Sequence, residues 1–143
     1  MSLKYKKVRE HATGPTVTHV GEDIGYDFYA AEEVRIPCQS HRLVPLGVAI
    51  EIVVANQPMG GIFKDRSGMG KKGITHFGGC IDAGYRGELQ VTLYNAGDVA
   101  HIVRRGDKVI QLVPQPVVTT TPEEVDTLSE SARGEKGFGS SGN

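Results

Sequence analysis

Glycine and proline interrupt this chain so often that a long helix has almost no place in it. The 143 residues include 19 glycines and 7 prolines. In a helix interior, glycine costs about 1 kcal/mol and proline about 3 kcal/mol relative to alanine. The apolar residues fall into short runs between these turn signals, a pattern typical of β-sandwiches and β-barrels. We therefore expect an all-β fold, in a chain long enough to bury a core.

The clearest strand signal lies between residues 78 and 95. Polar and apolar side chains alternate along residues 88–94, and the apolar ones are Leu89, Val91 and Leu93. A period of two is typical of a half-buried strand. A short apolar run, Cys80–Ile81, comes before it, and the glycines between the two runs favour a tight turn. We therefore predict a narrow hairpin with Asp82 and Tyr85 at its turn.

Further strands are predicted along the chain at residues 4–8, from about 26, and at 33–36, 42–45, 48–54, 61–63, 100–103 and 108–114. The nearly continuous apolar run 48–54 predicts a central strand, and residues 58–61 are expected to break it. Residues 64–73 are too rich in glycine to extend a helix beyond one turn. A helix-start signal at residues 121–124 lacks an apolar face, so we predict an extended segment there.

Composition argues against several classes of function. The net charge is −1, so we expect no stable binding to nucleic acid. The histidines show no zinc-binding spacing. No apolar run approaches membrane-spanning length, and the N-terminus lacks a signal core, so we expect no membrane association. Two cysteines without a CxxC pattern favour a cytoplasmic or equivalent reducing intracellular compartment.

Five stretches of the chain resemble the five ordered motifs of the homotrimeric dUTP pyrophosphatase (dUTPase) family. They are residues 23–31, 65–73, 79–88, 105–113 and 133–142. One motif such as Arg-Ser-Gly would be weak evidence, but five in family order span nearly the whole chain. The resemblance implies a jelly-roll-like subunit that forms a homotrimer with composite sites at its interfaces. It also implies hydrolysis of dUTP to dUMP and pyrophosphate, which limits uracil incorporation into DNA and supplies dUMP for thymidylate synthesis.

Two residues of the third motif resemble those at the reacting centre of the family. Asp82 resembles the general base, which holds the attacking water and accepts a hydrogen bond from the 3′-hydroxyl. Tyr85 resembles the tyrosine beneath the deoxyribose, which leaves no room for a 2′-hydroxyl. Taken alone, the hairpin would favour a plainer interpretation, an aspartate capping a turn and a tyrosine covering the edge of a core.

The resemblance also implies a uracil-binding segment. Backbone groups of Gly79, Cys80 and Ile81 would meet the edge of the base, since glycine permits a close approach. His76 lies six residues before Asp82, where some members of the family carry an asparagine that faces uracil. An exposed histidine without a role is the alternative at this position.

The implied phosphate contacts come from the second and fourth motifs. Arg66, Ser67 and Gly68 form the Arg-Ser-Gly motif, in which the guanidinium, the hydroxyl and backbone N–H groups reach phosphate oxygens. Gln111 is polar among apolar neighbours and is implied to contact phosphate. Asp65 stands where the family often has proline. The alternative for the whole stretch is a surface turn with a solvated arginine.

The glycine-rich C-terminus is implied to be a lid. We expect an all-β domain over residues 1–132 and a flexible lid over 133–143 that orders on the ligand. Its substrate-binding residues by resemblance are Arg133, Phe138, Gly139 and Ser140, of which the phenylalanine stacks on uracil. An RNA-binding tail of the Arg-Gly-Gly kind is the alternative, but one Arg-Gly pair is too few.

Mg²⁺ is the cofactor that the substrate implies. We expect substrate phosphates and waters to hold it rather than a protein cage, since Mg²⁺ seldom uses an all-protein site. Asp27 is implied to support the site from behind or through magnesium-bound water.

Two other functions fit parts of the pattern. A dCTP deaminase shares the fold, but its catalytic glutamate would fall at Thr92. A nucleotide-sensing protein could keep the pocket without turnover. The joint presence of Asp82, Tyr85, Arg66 and the tail favours an active enzyme.

Overall fold

The computed structural model describes residues 2–132 and 134–135 of the chain. These residues form strands β1 to β11 and one helical turn, α1. In chain order the elements are β1 (Ser2–Lys7), β2 (Tyr26–Tyr29), β3 (Val34–Ile36), β4 (Ser40–Pro45), β5 (Val48–Val54), β6 (Gln57–Lys64), α1 (Ser67–Gly70), β7 (Ile74–Phe77), β8 (Cys80–Ile81), β9 (Gln90–Asn95), β10 (His101–Val103) and β11 (Lys108–Pro116). The expected all-β, jelly-roll-like fold is confirmed.

Antiparallel sheets enclose one apolar core. The largest has the strand order β1-β5-β6-β11-β2, with β8 also paired to β6. A second has the order β4-β9-β7, and β10 pairs with β3. Side chains from all three sheets meet in the core, where Phe28 and Phe63 contact edge to face at 6.2 Å between ring centroids. The core therefore fixes the sheets relative to one another, and the candidate site is built at their edges.

Two predictions about individual strands are confirmed. The apolar face of β9 and the residue before it is buried, since Leu89, Val91 and Leu93 are each at most 2% exposed. β5 lies between β1 and β6, so the apolar run 48–54 is an interior strand of its sheet. The single turn of α1 agrees with the expectation that residues 64–73 cannot support a longer helix.

The predicted hairpin between Cys80–Ile81 and residues 88–94 is wrong. β8 pairs with β6, where Ile81 lies opposite Gly61 and Cys80 opposite Ile62. β9 pairs instead with β4 on one side and β7 on the other. Pairing between strands is decided by the packing of the whole sheet, which a local alternation pattern does not contain. The segment between β8 and β9 therefore links two different sheets.

The predicted break at residues 58–61 is also wrong. β6 runs through them, and the turn lies at Ala55 and Asn56, whose φ angles are +47° and +63°. Val54 pairs with Gln57, so this is a two-residue hairpin with positive φ at both turn positions, the type I′ geometry. Alanine rarely adopts positive φ, so local residue preferences did not predict a turn at this position. β7 was not predicted.

The segment after β11 has neither helix nor strand across residues 117–132, and its side chains are exposed. The prediction that the helix-start signal at residues 121–124 does not produce a helix is therefore confirmed. No helix in the described part of the chain is long and apolar enough to cross a membrane.

The turn at Ala55 generates a prediction about stability. A left-handed conformation costs a non-glycine residue about 1–2 kcal/mol, part of which glycine loses again through its greater freedom when unfolded. Ala55→Gly should therefore raise the free energy of unfolding by about 0.5–1 kcal/mol, measured by urea denaturation at one protein concentration. Ala96→Gly is the matched control, because Ala96 is exposed and is not among the positive-φ residues. That change should lower stability, and a gain from both substitutions would contradict the strain argument.

Candidate active site

A polar cleft of about 320 Å³ lies where β2 and β11 meet the connection from β6 to α1. We call it the Arg66 cleft, and the residues that line it are Thr18, His19, Asp23, Ile24, Gly25, Asp27, Arg66, Ser67, Lys108 and Gln111. Four of them were candidates from the sequence: Asp27, Arg66, Ser67 and Gln111. Gly68 follows in α1, and a Cβ atom built at this position would have no atom within 4 Å other than those of its chain neighbours and its own helix.

Asp27 organises the cations of this cleft. Its carboxylate accepts a hydrogen bond from Nε of Arg66 at 2.7 Å and another from Nζ of Lys108 at 2.9 Å. All three side chains are partly buried. Two cations share one carboxylate, so the cluster keeps a net positive charge and retains guanidinium donors for an anion.

The hydrogen bond that Lys108 donates to Asp27 raises the pKa of Lys108 above its ordinary value, and the Coulombic attraction of the same carboxylate adds to it. The folded pKa therefore exceeds the unfolded one. The contribution of this pair to stability is fully present below the ordinary lysine pKa of about 10.4 and is lost as the pH rises through the raised value. At neutral pH the pair is intact.

The position of Gln111 follows from strand register. It lies opposite Asp27 on β2 and opposite Lys64 on β6, so β11 brings it between the two strands. Its Nε2 donates to the backbone oxygen of Asp65 at 3.1 Å. Arg66 follows immediately, with an extended backbone at φ −81° and ψ 140°. The amide of Gln111 therefore holds the chain at the point where the arginine leaves the sheet.

Asp82 and Tyr85 lie elsewhere, beside a crevice of only about 10 Å³. We call it the Asp82 crevice, and its lining includes residues 50–52, 59–61 and 81–83 together with Tyr85. Asp82 is exposed, and its backbone oxygen accepts the N–H of Tyr85 at 3.0 Å. A space of this size holds about one water molecule. In the described part of one chain, this crevice has no room for a nucleotide.

The ring of Tyr85 is positioned by contacts with residues 87 and 88. A Cβ at Gly87 would collide with the ring, so glycine is needed there. The hydroxyl of Tyr85 donates to the backbone oxygen of Glu88 at 3.0 Å. The carboxylate of Glu88 in turn accepts Nε of Arg9 at 2.6 Å and the N–H of Gly47 at 3.1 Å. The tyrosine therefore stands on an anchored backbone.

Sequence reasoning missed three of these supporting residues. Arg9 and Glu88 anchor the Tyr85 turn, and the hydrogen bond to Glu88 raises the pKa of Arg9 above its ordinary value. Lys108 shares Asp27 with Arg66. Glu88 and Lys108 both lie within the motif ranges. Their partners Arg9 and Asp27, however, are 79 and 81 residues away in sequence. No local pattern connects such pairs.

The predicted uracil-binding segment has an unusual backbone. Gly78 and Gly79 have φ angles of +74° and +114°, which L residues rarely adopt. The oxygen of Gly79 accepts the N–H of Phe63 at 2.8 Å. Cys80 is exposed, and Ile81 lines the Asp82 crevice. The glycines therefore let the chain turn sharply between β7 and β8.

The Arg66 cleft and the Asp82 crevice share no lining residue. Along β6, Gly61 lies opposite Ile81, and extended chain from there to Arg66 covers roughly 17 Å. The candidates Arg133, Phe138, Gly139 and Ser140 lie outside the described residues. The described residues of one chain therefore hold the candidate site as two separate parts.

No group of three or more His, Cys, Asp or Glu side chains that could hold a metal ion occurs among the described residues. The Arg66 cleft does contain the hard oxygen donors that Mg²⁺ prefers, the carboxylates of Asp23 and Asp27. Both are engaged in hydrogen bonds, Asp23 with the N–H groups of Thr18 and His19. These residues fit an ion that is bound mainly by other ligands and waters.

The fold and the ordered motifs define an all-β protein of the nucleotide-hydrolase class. The chain belongs to the dUTPase family, whose model matches residues 16–142. The family assignment made from the five motifs is therefore confirmed.

Several relatives show how far the similarity extends. The deoxyuridine 5′-triphosphate nucleotidohydrolase of Gloeothece citriformis is 39% identical, over 99% of this chain and 97% of its own length. A dUTPase mutant of Staphylococcus bacteriophage 80alpha, solved with dUpNHpp, has a TM-score of 0.88 and 29% identity, with 99% of both chains covered. The D95N dUTPase of phage phi11, solved to show coordination of a structural Mg(II) ion, has a TM-score of 0.80 and 25% identity, over 91% of this chain and 100% of its own.

The Asp27 cluster generates a prediction about stability and pH. Asp27→Asn removes the charge that two cations share, and hydrogen bonds to charged groups contribute about 1.5–3 kcal/mol when buried. After a discount for partial solvent exposure, the variant should be about 1–2 kcal/mol less stable at pH 7 in urea denaturation. The difference should shrink as the pH rises through the raised pKa of Lys108. Asp98→Asn removes an exposed carboxylate as the control. An unchanged stability at pH 7 would contradict the shared-carboxylate arrangement.

Proposed function

We propose that this protein is a dUTP diphosphatase that hydrolyses dUTP to dUMP and pyrophosphate. The observation that carries the proposal is that residues of the family motifs form two features of the chain. These are the cationic Arg66 cleft and the turn at Asp82 and Tyr85, which Glu88 anchors. The similar relatives with this activity in their names support it. Within a cell, the reaction would limit uracil incorporation into DNA and supply dUMP, and the expected compartment stays a prediction.

Asp82 is the proposed general base. An ionised carboxylate is an acceptor with two oxygens, so one can hold the attacking water while the other accepts the 3′-hydroxyl. The water oxygen attacks the α-phosphorus in line, its proton passes to Asp82, and the bond from the α-phosphorus to the bridging oxygen breaks. Pyrophosphate leaves with the electron pair of that bond. The exposure of Asp82 in one chain leaves its carboxylate accessible to a water and a substrate.

Tyr85 is the proposed discriminator between deoxyribose and ribose. Its ring would pack on the sugar where a 2′-hydroxyl would need space. To exclude a 2′-hydroxyl, the ring must keep its position when ribose is offered. The hydrogen bond that its hydroxyl donates to Glu88, together with the salt bridge between Glu88 and Arg9, holds the ring in position.

The proposed base contacts are backbone groups of Gly79, Cys80 and Ile81. Positive φ at Gly79 turns its peptide groups away from the ordinary strand direction. A site made of fixed N–H and C=O groups accepts the hydrogen-bonding edge of uracil and leaves that of cytosine unpaired. In this proposal His76 lies behind the segment.

The proposed triphosphate contacts come from Arg66, Ser67, Gly68 and Gln111. The lid residues Arg133, Phe138, Gly139 and Ser140 are proposed to complete them. Mg²⁺, when bound, neutralises charge on the phosphate oxygens, and we propose that phosphates and waters are its main ligands. The structural Mg(II) ion of the phi11 enzyme shows that a relative binds this metal. Asp27 keeps Arg66 in place, and its carboxylate could accept a hydrogen bond from a water bound to the ion.

The complete site is proposed to form between subunits of a homotrimer. The observation that supports this is the small size of the Asp82 crevice, about 10 Å³, together with its separation from the Arg66 cleft. A second chain would bring one part to the other. Deamination of dCTP is less favoured, because Thr92, in the middle of β9, offers a hydroxyl where a glutamate would be required.

The activity is tested with purified protein, each dNTP and UTP, with and without Mg²⁺. We expect pyrophosphate release from dUTP with Mg²⁺ and little from the other nucleotides. Asp82→Asn should lower turnover roughly 10²- to 10⁴-fold, the usual contribution of a general base, while binding of dUpNHpp persists. Near-normal turnover by this variant would contradict the role of Asp82. Absence of dUTP hydrolysis by the natural sequence would contradict the proposed function itself.

The origin of the lid is tested by complementation. Two inactive variants are co-expressed, Asp82→Asn with its tail intact and a truncation before Arg133 with Asp82 intact. If the tail serves a neighbouring subunit, about one quarter of the sites in randomly mixed symmetric trimers combine a good aspartate with a good tail. Native mass spectrometry verifies that the trimers are mixed. Activity no higher than that of the separate variants would show that each tail closes over its own subunit.

A further inference from the structure

The two residues that depart from the family pattern contact each other. Oδ1 of Asp65, which stands in place of the usual proline, lies 2.6 Å from Nδ1 of His76, which stands where some members have asparagine. Oδ2 of the same carboxylate accepts the hydroxyl of Thr75 at 2.7 Å, and its backbone oxygen accepts Gln111 at 3.1 Å. Asp65 therefore joins β7, β11 and the start of the Arg66 motif.

The contact orients the histidine ring. An ionised carboxylate only accepts, so Nδ1 of His76 carries the proton in this hydrogen bond. The opposite side of the ring faces Gly79: a Cβ built on that glycine would lie 3.0 Å from Nε2. The side chain of His76 is only 14% exposed. The ring therefore lies between the carboxylate of Asp65 and the backbone of Gly79.

Gly79 is held on its other side by β6. A Cβ on Gly79 would also lie 3.2 Å from the Cβ of Phe63, and the N–H of Phe63 bonds the oxygen of Gly79. The side chains of Phe63 and His76 therefore both lie close to Gly79, whose φ is +114°. Removing the imidazole leaves part of the space beside Gly79 empty.

We propose that Asp65 is a positioning residue that acts through His76 on the backbone of Gly79, in the proposed uracil-binding segment of the same chain. The inference rests on the proposed function. Where a proline would stiffen this segment through its ring, the carboxylate makes hydrogen bonds with two partners, the hydroxyl of Thr75 and the imidazole of His76.

The consequence falls on binding and selectivity rather than on the chemical step. Asp82 does not contact Asp65 or His76, so the water and its base are untouched. If Gly79 is held less firmly, the substrate and the transition state are both bound less tightly. Such a uniform loss of binding raises KM and leaves kcat nearly unchanged. Backbone groups that are free to move also discriminate less well between uracil and cytosine.

The test is a double-mutant cycle on the full chain with Mg²⁺. Asp65→Ala, His76→Ala and the double variant are compared with the natural sequence for binding of dUpNHpp by calorimetry and for kcat and KM with dUTP and dCTP. Each single change should weaken binding roughly ten- to hundredfold, and the double change should be no worse than the more severe single. The preference for dUTP over dCTP should fall with it. Asp65→Asn, which keeps one acceptor oxygen, should lie between the natural sequence and Asp65→Ala.

His41→Ala is the matched control, because His41 lies on β4 of the same sheet and contacts the ring of Phe77 rather than Asp65. It should bind the analogue within about twofold of the natural sequence, well below the loss of a hydrogen bond to a charged group. Independent, additive losses from Asp65→Ala and His76→Ala would overturn the proposal. So would a lower melting temperature with unchanged KM and unchanged base preference, which is the result that a purely structural pair predicts.

The two proposals fail in different ways. Natural protein that binds dUpNHpp without hydrolysing dUTP would refute the proposed function, and the binding cycle would still decide the role of Asp65. Natural protein that hydrolyses dUTP while both alanine variants bind as tightly would refute only the positioning role. Protein that neither binds nor hydrolyses would refute both.

Discussion

The hydrogen-bonded ladder of β6 is the constraint on which both parts of the candidate site depend. At one end, Gly61 lies opposite Ile81, one residue before Asp82, and at the other Lys64 lies opposite Gln111. A Cβ on Gly61 would meet the side chain of Leu112 at 2.8 Å, so glycine at this position leaves room for the buried leucine. The strand therefore fixes the proposed base-binding segment and the Arg66 arm of the same chain in one register.

Salt bridges and hydrogen bonds to charged groups position side chains that the backbone ladder of β6 does not fix. The clusters around Asp27 and Glu88 each join segments distant in sequence, and each leaves its functional neighbour on a rigid support: Arg66 in the first, Tyr85 in the second. Both clusters are partly buried, where such bonds are screened less than at the surface. Their value to the protein is geometric, because the arginine and the tyrosine must keep their positions before a ligand arrives.

Sequence patterns predicted what is local and missed what is not. The alternation ending at Leu93 defined a buried face, and the motifs marked Arg66 and Gln111, which both line the Arg66 cleft. The partner of β8, however, is chosen by the packing of the whole sheet, and the turn at Ala55 uses a residue that seldom adopts positive φ. The bond from Asp65 to His76 was beyond reach for the same reason: both positions were recognised as departures, but only the fold shows that they are one feature.

The exposure of Asp82 supports the proposal that other segments complete the site. A charge acts on a phosphate more strongly once water is excluded, since the effective dielectric falls. The crevice beside Asp82 has a volume of about 10 Å³, and residues 117–132, which lead toward the proposed lid, are exposed along their length. Closure by other segments would thus both complete the contacts and remove the solvent. In the proposed trimer, a site divided in this way would keep Asp82 idle until a correct substrate has brought all the parts together.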